Sequence, residues 1–142
     1  MNSVFVDTDV ILDLFARREP HHRDALRLFS HLKRSKTRSF TSPIVIANVY
    51  YLLSRMKDKG YALDRIKRLR RLVSVISVDE STIDSALERP HKDFEDSIQY
   101  HCALSNGIKT LITRNTKDFL KAEVSIASPA EYLNRMSMEK RG

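Results

Sequence analysis

Apolar residues along the chain fall into short runs that end on polar residues, separated by longer stretches in which apolar positions recur every three or four residues. Five runs have strand character: Ser3 to Asp7, Arg38 to Ser42, Ser74 to Val78, Thr110 to Thr113 and Val124 to Ala127. Between them, Pro20 to Ser35 sets Leu26, Phe29 and Leu32 at helical spacing, and Leu63, Ile66, Leu69 and Leu72 or Val73 repeat the pattern. Ser42-Pro43 supplies an N-cap and a first-turn proline for one helix. Asp93 precedes another, Phe94 to Ser105, which stops at Asn106-Gly107. Strand alternating with helix predicts an α/β fold, a mostly parallel sheet with helices on both faces. Residues 1–142 show no repeat or linker and read as one domain.

In such a sheet, ligands sit beyond the carboxyl ends of the strands, so polar residues there are candidates for chemistry. Asp7 ends the apolar strand SVFV, and Asn115 and Asp118 follow the strand TLIT. Asp93, Glu95 and Asp96 open a helix shortly before it. Each has a structural alternative. Asp7 and Asp9 are good helix caps, Asp93 and Asp96 stand three apart as capping groups do, and Asn115-x-x-Asp118 suits the start of a short turn. Asn48 interrupts the apolar run Ile44 to Leu53 and must find a hydrogen-bond partner there. It reads either as a core amide bonded to backbone or as a polar group on the same rim as Asp7.

Charge narrows the chemistry. With 25 Lys and Arg against 18 Asp and Glu, the chain carries +7 and has a pI near 9.7, which favours an anionic partner, nucleic acid first. The charge is uneven, since Asp79 to Asp96 holds seven acids against two bases, a net −5 that leaves +12 elsewhere. Much of that excess lies in Arg55 to Arg71, where Leu63 to Val73 reads as a solvated face, a nucleic-acid contact or a partner-binding helix. An acidic spot within a basic surface suits metal-dependent phosphodiester chemistry, carboxylates holding the cation and bases the phosphates. With three glycines in all, neither a Walker loop nor a Rossmann fingerprint exists. The histidines lack ligand spacing, which excludes a sequence-legible zinc site. Cys102 is alone, reads as a small buried thiol and implies a reducing compartment. The N-terminus lacks signal-peptide character and no window reaches the roughly 20 apolar residues of a membrane helix, so a cytoplasmic protein without membrane partners is expected.

Four segments, VFVDTDVILD, TSPIVIANVYYLL, DFEDSIQYHCAL and TLITRNTKDF, resemble in this order the motifs of the PIN domain family, metal-dependent nucleases that include the VapC-like toxins of toxin–antitoxin systems. The resemblance implies a three-layer α/β/α domain, a homodimer, Mg²⁺ or Mn²⁺ held by acidic residues, RNA as substrate and an antitoxin encoded nearby. It matches Asp7 to the first metal-binding aspartate, Asp96 to the aspartate opening the helix after the acidic segment, and Asp118, with Asn115 beside it, to the terminal acid. Thr8 and Thr113 fall beside these as substrate-contacting or supporting groups. Asn48 stands where many members have glutamate, and a neutral amide cannot serve as a general base, so Glu95 or Asp93 would have to restore the charge. Two other readings stay open. One is a PIN-like module that binds RNA or a partner without cutting, with Asn48 as its evidence. The other is a haloacid-dehalogenase-type phosphatase with Asp7 as nucleophile and Asp9 as acid, although no acidic pair follows Thr113.

Overall fold

The computed structural model describes residues 2–89, 93–119 and 123–141, apart from the side chains at positions 118, 140 and 141. The elements run β1 (Ser3–Val6), α1 (Thr8–Phe15), α2 (His22–Arg34), β2 (Arg38–Thr41), α3 (Pro43–Met56), α4 (Lys59–Leu72), β3 (Ser74–Val75), α5 (Glu80–Glu88), α6 (Phe94–Ser105), β4 (Thr110–Ile112), a 3-10 turn (Thr116–Asp118), β5 (Ser125–Ala127) and α7 (Pro129–Arg141). All five strands are parallel in the order β3-β2-β1-β4-β5. Helices cover both faces, giving the expected α/β/α sandwich. Helices α1, α2, α3, α4 and α7 pack on one another in succession, while α5 and α6 pair separately.

β1 is central, hydrogen-bonded on both edges and covered on both faces, which is why its residues are apolar without alternation. Phe5, Ile11, Leu28, Leu53, Leu69, Leu111 and Ile112 are fully buried and form the core with their neighbours. The chain leaves β1 to build β2 and β3 on one side, then returns to build β4 and β5 on the other. The strand order therefore reverses between β1 and β4, and a crevice opens beyond their carboxyl ends.

Several sequence expectations need correction. Leu26, at 49% exposure, and Leu63, at 51%, face solvent; Phe29, Leu32, Leu69 and Val73 are buried as expected, and Ala25 and Leu28 on α2 and Ala62 on α4 complete the buried stripes. In both helices an apolar residue one position off the stripe imitated the helical period. β3 is only two residues, because this exposed edge strand has a ladder partner on one side alone, although the Ile76 amide still reaches Thr41 O at 2.9 Å. Each of the other predicted strands loses one terminal residue; in β1 that residue is Asp7, which passes from strand to helix cap. Among the described residues, no helix is long and apolar enough to cross a membrane.

Candidate active site

Ordinary caps show how unusual Asp7 is. Ser42, Asp58, Asp79 and Asp93 each accept, through the side chain, the amide three residues on: Val45, Tyr61, Thr82 and Asp96 respectively. Asp7 also precedes a helix, but its Oδ1 accepts the adjacent Thr8 amide at 2.8 Å, and its Oδ2 turns across the crevice to accept the Thr113 hydroxyl at 3.1 Å. Thr113 follows β4, is fully buried, and its hydroxyl also lies 3.4 Å from Asp9 Oδ2. A hydroxyl has one proton, so Thr113 cannot satisfy both carboxylates. Asp9 takes a further hydrogen bond from the Arg114 amide at 3.1 Å, yet its Oδ1 is buried with no partner among the described residues. In sequence Asp7 and Asp9 read alike as helix caps. The cap is Asp7, and Asp9 belongs to the crevice, held there by the first turn of α1.

The electrostatics agree with this geometry. Burial first, then the Asp9 carboxylate and, more weakly, Asp96, push Asp7 up to about 7. Burial likewise raises Asp9, against the Arg114 amide and guanidinium, which favour its charged form. The crevice holds more negative charge than its own donors neutralise, and it is short of a cation or a proton.

Asp13, one turn below Asp9 on α1, shows the opposite arrangement. It is 1% exposed, yet Arg114 grips it at 2.6 and 3.2 Å and Arg18 at 3.0 Å. This buried carboxylate between two guanidiniums ties the segment after β4 to α1 and so fixes Thr113 against Asp7 and Asp9. The spacing of Asp9, Asp13 and Arg114 did not distinguish Asp13 in sequence, since the pairing spans 101 positions.

On the other wall, α6 and α3 meet. The Ser42 hydroxyl donates to Gln99 Oε1 at 2.6 Å in the core, joining the start of α3 to α6. One result is that the Asn48 amide donates to Glu95 Oε2 at 3.1 Å. Asn48 is thus neither bonded to backbone nor in the core; it is half-buried and touches the carboxylate that the sequence reading offered as a replacement charge. Asp96, half-buried, stands close enough to act on Asp7, whereas Asp93 is exposed and caps α6. The −5 segment does not act as a unit: Asp79 caps α5, and Glu80, Asp84 and Glu88 are exposed on that helix. Thr8 contributes its backbone amide, Asn115 is exposed and donates its amide to the Thr113 hydroxyl at 3.2 Å, and Asp118 closes the 3-10 turn with a side chain outside those described. Cys102 is buried, its thiol pushed up to about 11 by that burial, and it faces Ser77 O.

Among the described residues, no three His, Cys, Asp or Glu side chains form a ready cage for a metal. The donor set nevertheless fits a hard divalent cation such as Mg²⁺ or Mn²⁺, which binds through one or two carboxylates and retains several waters. The orphaned Asp9 Oδ1 and the raised Asp7 are what such a charge would relieve.

The PIN domain model matches residues 3–117. Ribonuclease VapC1 of Aquifex aeolicus (strain VF5) is 34% identical over 142 residues, covering 95% of this chain and 97% of the relative. The structure of Mycobacterium tuberculosis VapC20, described as a Sarcin-Ricin loop cleaving toxin, is 26% identical with a TM-score of 0.63, over 76% of this chain and 86% of that one. VapBC2 from Rickettsia felis, solved on a DNA fragment from its promoter, shares the fold with a TM-score of 0.68 at 16% identity, over 87% of this chain and 96% of that one. These matches leave the phosphatase alternative without support. A match running from β1 to the turn after β4, on a sheet whose order brings Asp7 and Thr113 together, makes this chain a member of the PIN domain family, of the VapC-like kind.

Proposed function

We propose that the protein is a VapC-like ribonuclease, the toxin of a toxin–antitoxin pair, that hydrolyses RNA phosphodiester bonds with Mg²⁺ or Mn²⁺. The observation that carries the reading is the shared Thr113 proton, one donor between the buried Asp7 and the half-buried Asp9 carboxylates at the sheet's switch point. The 34% identity to Ribonuclease VapC1 supports the reaction class, and the VapBC complexes among the fold relatives support a protein antitoxin. A homodimer and one domain over residues 1–142 complete the proposal.

In this reading Asp7, Asp96 and Asp118 hold the cation, and Asp9 adds charge beside Asp7. A bound divalent cation supplies positive charge at the scissile phosphate and favours ionisation of an attacking water. The rest falls to the chain. Thr113 and the Thr8 amide fix the two oxygens of Asp7. Asn48 orients Glu95, so that the missing family glutamate is replaced by a carboxylate from α6, with Asp93 left to cap. Asn115 stands at the rim for substrate. The binding-module alternative rests on Asn48, and the hydrogen bond from Asn48 to Glu95 supports the cutting reading over it.

Incubating the protein with a mixed RNA pool, in Mn²⁺ or in EDTA, while measuring Mn²⁺ binding by calorimetry, tests the proposal. Products that form only with the cation support it; RNA binding without cation binding or products would favour the non-cutting module. Asn48→Asp gives a finer check. It sets a carboxylate against Glu95 in place of a hydrogen bond, so the cation-free protein is expected to lose about 1 kcal/mol at pH 8. Saturating Mn²⁺ should restore the parental melting temperature, and a deficit that persists in Mn²⁺ would place Asn48 and Glu95 outside the cation's reach.

A further inference from the structure

A hollow of about 520 Å³ opens at the other end of the strands, where α2 and α4 both terminate. Lys33, Lys36, Arg68 and Arg71 surround it over a floor that includes Phe29 and Leu32, and among the described residues no acidic side chain lines it. Thr37 and Ser39 also line it. The basic stretch of α4, ambiguous in sequence, thus delivers two of its cations to one concave place.

Helix ends explain only part of this charge. Two helix C-termini together present about one negative charge, and Arg68 is held by Asp64 at 3.1 Å. Roughly two positive charges remain, matching a phosphate monoester near its dianionic form. Lys33, Lys36 and Arg71 have no ion-pair partner among the described residues. The end of α2 places Lys36 at this hollow. α2 closes with the Thr37 amide on Leu32 O at 3.1 Å and the Lys36 amide on Lys33 O at 3.4 Å, a Schellman turn whose left-handed position is normally glycine. Lys36 occupies it at φ 57°. Glycine would adopt this conformation at lower cost, as it would at Arg17 (φ 51°), but here the residue is a lysine that lines the hollow.

We propose that this hollow is a second, non-catalytic site that binds the phosphate monoester of a nucleotide, free or at the end of an RNA strand. Its apolar floor and volume suit a nucleotide unit better than a bare anion. The proposal does not depend on the ribonuclease reading, and its test involves no cleavage.

The test is calorimetry on the full chain in EDTA with 5′-AMP, adenosine and inorganic phosphate, beside fluorescence anisotropy with a 5′-phosphorylated or 5′-hydroxyl RNA hexamer. Binding of AMP or of the phosphorylated hexamer, at least tenfold tighter than its unphosphorylated counterpart, is expected, and which of the two binds identifies the source. Lys33→Gln with Arg71→Gln should weaken it at least tenfold, while Lys57→Gln with Lys59→Gln, an equal loss of charge between the end of α3 and the first residue of α4, should stay within twofold. Lys36→Gly should weaken binding while keeping or raising the melting temperature. Equal losses from the two double variants, or adenosine binding as well as AMP, would overturn the proposal.

Discussion

Asp7→Asn is expected to abolish cation-dependent RNA cleavage and, at the same time, to make the cation-free protein more stable above pH 7. The loss of activity follows if Asp7 is the central cation ligand, since an amide brings no charge. The gain in stability follows from the raised carboxyl, whatever the ligand. Burial pushes the Asp7 carboxyl up to about 7 in the folded protein, against 3.8 for the unperturbed group in the unfolded chain. Between those values the folded protein therefore binds a proton that the unfolded chain has released. Stability from this group is complete below pH 4 and falls away as pH rises through 7. The full difference corresponds to at most about 4 kcal/mol. Asparagine avoids that penalty, its oxygen can still accept the Thr8 amide, and its NH₂ can face Asp9. A gain of about 2 kcal/mol at pH 8, or about 6 °C in melting temperature, is expected in EDTA, and none at pH 4. Melts of both proteins at the two pH values in EDTA decide this, and a variant that melts lower than the parent at pH 8 would contradict the charge excess. Mn²⁺ should narrow the gap by stabilising the parent selectively.

The second large effect concerns Asp13. Asp13→Ala should lower stability by about 3 kcal/mol, because it leaves two guanidiniums facing a space from which their counter-charge has gone. That corresponds to a fall of about 9 °C in melting temperature. Cleavage should fall too, through Thr113: Arg114 would no longer be tied to α1, and the hydroxyl shared by Asp7 and Asp9 would lose its fixed position. Asp13→Ala with Arg114→Ala should lose less than the sum of the single changes, by 1 kcal/mol or more, since each removes the same pair. Strict additivity in urea melts would show that the contact is dispensable.

Much of the fold was readable because strand and helix periods differ and because apolar strands without alternation mark a sheet covered on both faces. SVFV, RSFT and TLIT announced a parallel sheet, and Ser42-Pro43 and Asp93 announced two helix starts, each a local preference of a few residues. α1, α5 and α7 were not singled out. α1 follows β1 after one residue, so its apolar positions continue the strand's run without a break in pattern.

The candidate site was legible in outline. Asp7 and Asp96 were marked by place and family motif, and the charge pattern pointed to an anionic partner. The sequence by itself determined which residue types were available and that Asp7 would end a buried strand, because these depend on near neighbours. Only the tertiary structure decided which acids act together. It separates the exposed acids of α5 from the crevice, turns Asp9 from a cap into Asp7's neighbour, neutralises Asp13 with Arg114, and gives Asn48 the carboxylate of Glu95. The physical reason is that burial and Coulomb interaction depend on distance in space: the Thr113 hydroxyl that links Asp9 to Asp7 lies 104 positions from Asp9, Arg114 lies 101 from Asp13, and Glu95 lies 47 from Asn48.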